Sequence, residues 1–152
     1  MKEVKRSALV AQPASRMFAL ISDVDSYPSF VPWCTHVRVE SRTEREIVAA
    51  LGVKRGLLHM EFTTRTELDP DKRVEIHLVK GPFRSLHGTW LLTPIADTMG
   101  CRVELTMRFE FSNALSAMVL DPIFEDTAVS LVNAFVARAR ALGPPPAVST
   151  AP

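Results

Sequence analysis

The sequence predicts an α+β domain: a seven-stranded, curved antiparallel sheet wrapped around one long C-terminal helix, with two short helices between the first and second strands. Three observations carry the prediction. From Val37 apolar and polar residues alternate with period 2 for about eighty residues, the mark of a sheet with one dry and one wet face. From Asn113 the period returns to 3.6 and an apolar stripe runs to Leu142. Between these patterns and an opening strand lies SDVDSYPSFVPWC, Ser22 to Cys34, where Pro28 and Pro32 allow little more than one helical turn.

The elements follow in order. Val4, Arg6, Ala8 and Val10 alternate with Lys5, Ser7 and Leu9, a strand that Pro13 ends. Pro13 suits a helix start, and Met17, Phe18, Ile21 and Val24 recur at helical spacing behind it, giving a short helix over roughly 13 to 22. Pro28 begins the second short helix. Val37 and Val39 open the next strand, and Ile47, Ala49, Leu51 and Val53 form the third. Leu58, Met60, Phe62, Thr64, Thr66 and Leu68 share one face of the fourth, with His59, Glu61, Arg65 and Glu67 on the other. Val74, Ile76 and Leu78 follow, then Leu86, Gly88, Trp90 and Leu92. Cys101 to Phe111 is the clearest strand, Val103, Leu105, Met107 and Phe109 facing away from Arg102, Glu104, Arg108 and Glu110. Turns are expected at Gly52 to Gly56, Asp69-Pro70-Asp71, Gly81-Pro82 and Ala96 to Gly100. In the C-terminal helix Phe124, Ala128, Leu131, Val132, Phe135 and Ala139 form the stripe; Pro122 is expected to kink or restart it, with Asp121 capping the second segment. A single domain over 1–142 and a disordered tail over 143–152 complete the division.

Composition narrows the function. The chain has 152 residues, 47% hydrophobic and 23% charged, enough for one ordinary core. Eighteen Lys and Arg stand against seventeen Asp and Glu, a net charge of +1 with no blocks of one sign, which argues against a strong electrostatic footprint. The apolar run Ala8 to Ala11 is too short for a secretory signal, and nothing approaches the roughly 18 residues of a membrane span. Cys34 and Cys101 form neither a disulfide framework nor a metal pattern, so a cytoplasmic, reducing setting is expected.

A curled sheet of this kind meets one helix only along its middle, so its flanks must be filled by large side chains or by a ligand. The segment with Tyr27, Phe30, Val31, Pro32 and Trp33 is placed to lie at one end of that hollow, as a lid or a plug. The segments DSYPSFVPWC, GPFRSLHGTWLLTP (81–94) and AFVARARAL (134–142) resemble the START-like (SRPBCC) superfamily, in the family of coenzyme Q-binding proteins and bacterial ribosome association toxins. The resemblance covers about residue 3 to residue 142, and YPSFVPWC is its specific part. It implies a helix-grip (START/Bet v 1-like) fold enclosing an apolar tunnel. One branch of the family is taken to bind ubiquinone; the other is described as binding the large ribosomal subunit and blocking subunit joining.

The first expectation is a binding protein: ubiquinone or a related polyisoprenoid lipid in the tunnel, no resident cofactor, support of respiration as a quinone chaperone, and transient membrane contact. Its candidate ligand contacts are Tyr27, Phe30, Val31, Pro32, Trp33, Met60, Phe62, Phe83, Arg84, Leu86, Trp90, Met107, Phe109, Phe124, Leu131, Val132 and Phe135. Most are core in any event; Arg84 would offer its planar fork to a carbonyl or phosphate at the mouth. The alternative is ribosome association through the outer sheet face, with Arg38, Arg65, Arg102 and Arg108 among its carboxylates. A cyclase-like enzyme comes third, because only Thr64 and Thr66 bring polar groups to the inward face and no catalytic constellation is visible. A metal site is not expected: His36, His59, His77 and His87 are scattered, and Cys34-Thr35-His36 lacks further ligands.

Overall fold

The computed structural model describes residues 1–143, so the predicted tail lies outside the described residues beyond Gly143. Seven strands, β1 (Lys2–Val10), β2 (Cys34–Arg42), β3 (Glu46–Arg55), β4 (Leu58–Asp69), β5 (Arg73–Lys80), β6 (Phe83–Pro94) and β7 (Cys101–Phe111), form one antiparallel sheet in the order β1-β7-β6-β5-β4-β3-β2. Strands two to seven are a meander, each paired with its neighbour in sequence, and β1 closes on β7. Between β1 and β2 lie α1 (Ala14–Ser22), a 3₁₀ turn (Val24–Ser26) and α2 (Tyr27–Phe30). The last element, α3 (Ala114–Ala141), packs on the concave face.

Alternation decides which side chains go inward. On β7 Cys101, Val103, Leu105, Met107, Phe109 and Phe111 are all buried, while the intervening Arg102 and Arg108 are exposed. Trp90 from the sheet meets Phe135 of α3, and Phe109 meets Phe124 of α3; Trp90, Phe109 and Phe135 are the largest fully buried side chains. Burying each contributes roughly 1.5–3 kcal/mol relative to exposure, so this aromatic layer, more than strand propensity, fixes the helix on the sheet.

The structure corrects the sequence reading at two places. Gly52 is not in a turn: β3 continues through it to Arg55, and the reversal is at Gly56, whose φ of +57° is left-handed. A Cβ at position 52 would stand 2.3 Å from the Thr35 hydroxyl and from the His36 ring, where β2 carries a bulge. Glycine is there because side chains of the neighbouring strand cross its face.

Asp121 is not a cap, and α3 does not restart at Pro122. Its N-cap is Asn113, whose side chain accepts from the amides of Leu115 and Ser116. Proline removes one backbone donor, yet Leu120, Ile123 and Phe124 on either side of it pack on the core, and that packing carries the helix through. Leu115, Met118 and Val119, in the first turns of α3, are exposed rather than part of the buried stripe.

Candidate functional site

Between α3, the end of α1 and the β3–β5 flank lies an apolar hollow of about 70 Å³. Of the predicted contacts, Tyr27, Trp33, Phe62, Leu86, Trp90, Met107, Phe124 and Leu131 line it. Phe83, Phe109, Val132 and Phe135 belong to the packed core instead, Met60 lies half-buried against that core, and the inner wall is completed by residues the periodicity did not single out as contacts, among them Ile21, Val24, Ile47, Val74, Ile76 and Ala128. That so much of the concave face is closed follows from ring packing: Phe83 stacks on Phe111 at 4.7 Å, and Phe124 meets Phe109 edge-on at 4.6 Å.

The two-proline segment is a plug. Val31 and Trp33 are buried, Phe30 lies edge-on to Phe135 at 5.3 Å, and the Arg138 guanidinium covers the Phe30 ring at 5.4 Å. Pro32 is exposed and lines no part of the hollow. Arg84 is also exposed, beside Lys2, Glu110 and Asp121 on the surface, and is not brought to the hollow. The Trp33 indole N–H, in contrast, is buried with no hydrogen-bond partner among the described residues.

Tyr27 ties the plug to α1 by donating its hydroxyl to the Ile21 carbonyl, one of the acceptors left open at a helix end. Burial raises the phenol far above its ordinary range, so the donor stays protonated. Tyr27→Phe strands that carbonyl, and we expect a loss of about 1–2 kcal/mol, read as a lower urea midpoint at unchanged slope. Burial also pushes the Cys34 thiol up to about 11 and raises that of Cys101, so neither is an activated nucleophile.

The outer sheet face is organised by ion pairs. Arg38 binds Glu61, and Arg65 binds Glu67 and Glu46, which places both in locally balanced networks. Of the four arginines expected on this face, Arg38 and Arg65 are thus not grouped with Arg102 and Arg108. Instead Lys5, Arg73, Arg102, Arg108, His87 and Glu104 line one polar groove of about 490 Å³ across β1, β7, β6 and β5. Its cations contact Glu3, Glu75 and Glu104 through exposed Lys and Arg side chains, and they outnumber those carboxylates, so positive charge is in excess there. Beside the groove Glu75, His77 and His87 converge, the one set of metal-ligand type among the described residues.

Residues 10–136 match the profile of the family described as polyketide cyclase / dehydrase and lipid transport. A Vibrio cholerae protein named ribosome association toxin RatA is 40% identical over 140 residues, spanning 92% of this chain and 96% of that protein. The mitochondrial coenzyme Q-binding protein of Drosophila melanogaster is 27% identical over 146 residues, spanning 94% of this chain and 60% of that protein. The crystal structure of the Zhui aromatase/cyclase from Streptomyces sp. R1128 superposes with a TM-score of 0.82 at 21% identity, covering 94% of this chain and 98% of that one. At that identity what is shared is the fold.

Proposed function

Because this chain belongs to the polyketide cyclase / dehydrase and lipid transport family, we propose that its helix-grip fold serves ribosome association rather than carriage of a long-chain quinone. The observation that carries the reading is the likeness to the ribosome association toxin, 40% identity sustained over 92% of the chain. The large subunit is the partner the family resemblance implies. The groove of Lys5, Arg73, Arg102 and Arg108 supplies a contact surface for RNA phosphates: its exposed ion pairs are weak, and a phosphate competes with the carboxylates for each guanidinium.

The quinone reading, first in order from the sequence, has less support. Its relative is more distant, and a hollow of about 70 Å³ falls far short of the roughly 300–1,000 Å³ of small-molecule pockets, let alone an isoprenoid tail. A small apolar ligand that accepts from the Trp33 indole N–H is the second reading, favoured by that unpartnered donor.

The test is co-sedimentation of the purified chain with ribosomes at two salt concentrations, alongside extraction of the protein into organic solvent. We expect pelleting at low salt that falls steeply as salt rises, and no quinone in the extract. Failure to pellet at low salt, or stoichiometric quinone in the extract, overturns the reading.

A further inference from the structure

We infer that Glu75, His77 and His87 form a binding site for a divalent transition metal, zinc by ligand class, on the outer face of the sheet. The site shares His87 and Arg73 with the edge of the polar groove, but metal binding is measured on the chain alone, so its test stands or falls apart from ribosome association.

The backbone places the ligands. β5 and β6 pair from Arg73 opposite Leu91 to His77 opposite His87, and there their ladder ends. Past that point β5 keeps its pairing with β4 while its last residues part from β6 toward the Gly81-Pro82 turn. The two histidines thus sit side by side at a fork, their rings 5.1 Å apart, and Glu75 is the next residue of β5 on the same face.

One nitrogen of each ring and one carboxylate oxygen of Glu75 all lie within 4.8 Å of one another. Around zinc at bonds of about 2.0–2.2 Å, tetrahedral ligand atoms stand roughly 3.3–3.5 Å apart, so closure needs on the order of 1 Å of side-chain movement. His87 Nε2 is already 2.8 Å from Glu75 Oε2. Both rings are partly exposed, His77 by 32% and His87 by 46%, which leaves room for that rotation and for a water in the fourth position.

Two further observations favour a ligand role over a plain surface network. His77 Nε2 is buried, and its nearest carboxylate oxygen is Glu67 Oε1 at 3.1 Å, an ion-pair contact rather than a well-formed hydrogen bond. Glu75 is held by neighbours on the same face, the Thr89 hydroxyl donating to Oε2 at 3.1 Å and Arg73 Nε at 3.2 Å from Oε1, the outer support that metal-binding carboxylates carry. The cations opposite the histidines are each offset: Arg65, across from His77, by Glu67 and Glu46, and Arg108, across from His87, by Glu3. A bound ion would clamp β5 to β6 where backbone pairing stops.

Zinc titration of the full chain by calorimetry in a non-coordinating buffer tests the site. We expect one ion per chain, weakened about 100-fold or more in His77→Gln and in His87→Gln and about 10-fold in Glu75→Gln, and unchanged in His36→Gln and His59→Gln. Cobalt in place of zinc should show the visible bands of a four-coordinate ion. Metal-free melting curves of the variants, expected to match the parent, separate lost ligation from lost folding. Absence of saturable binding at micromolar zinc, or binding that persists in the His77→Gln/His87→Gln double variant, overturns the inference.

Discussion

Phe135→Ala is expected to lower the unfolding free energy by about 3–5 kcal/mol, a large share of the roughly 5–15 kcal/mol that holds a domain together. Phe135 is 0% exposed, and its ring meets Tyr27 at 5.4 Å, Phe30 at 5.3 Å and Trp90 at 5.3 Å, all edge-on. One truncation therefore removes the common partner of the plug, the sheet and the long helix. The void cannot close cheaply, because Tyr27 and Trp90 already border the hollow, and moving them inward would enlarge it. Phe135→Leu keeps most of the volume and should cost less than about 1.5 kcal/mol. Urea unfolding of both variants measures the difference; a loss below about 1 kcal/mol in Phe135→Ala would show that the aromatic layer does not anchor α3.

The second large effect is on the proposed ribosome association. Replacing Arg73, Arg102 and Arg108 together with glutamine should weaken low-salt association on the order of 100-fold and reduce the salt slope by about three, one for each guanidinium that no longer neutralises a phosphate. These residues lie on β5 and β7 and line the same groove, each exposed, so the change leaves the core untouched. A charge-matched control replaces Arg38, Arg42 and Arg45 on and beside β2, at the opposite edge of the sheet. Salt-dependent co-sedimentation of the two triple variants separates a docking groove from general attraction. Equal weakening in both would rule out the groove as the contact surface of the proposed association.

The strands and the long helix were legible because their signals are local. Period-2 alternation from Cys101 to Phe111 names a face without knowledge of any partner, and the stripe from Phe124 to Ala139 does the same at 3.6. Gly52 misled because a glycine between strands has the same local signature whether the chain turns there or a neighbouring side chain crosses it. Asp121-Pro122 misled because capping is a local rule, and the packing of Leu120, Ile123 and Phe124 overrode it.

The candidate sites were less legible. Inward positions were read correctly in kind, and eight of the predicted contacts do line the hollow, but alternation says which way Phe109 or Phe135 points and not how much space is left after they meet. The Arg102 and Arg108 pair reached a common groove with Arg73 and Lys5 rather than with Arg65, since two strands, β5 and β6, separate β4 from β7. His77 and His87 looked scattered because ten positions part them in sequence, and only the β5–β6 register sets them side by side.

By itself the amino-acid order determined the elements, their inward faces and the proline-stiffened segment, because each depends on neighbours within a few positions. Tertiary structure alone decided that the concave face is mostly filled by the protein's own rings, which arginines are balanced by carboxylates, and which histidines become neighbours. The physical reason is that volumes, ion-pair distances and cross-strand register belong to pairs of residues far apart along the chain, and no local period records them.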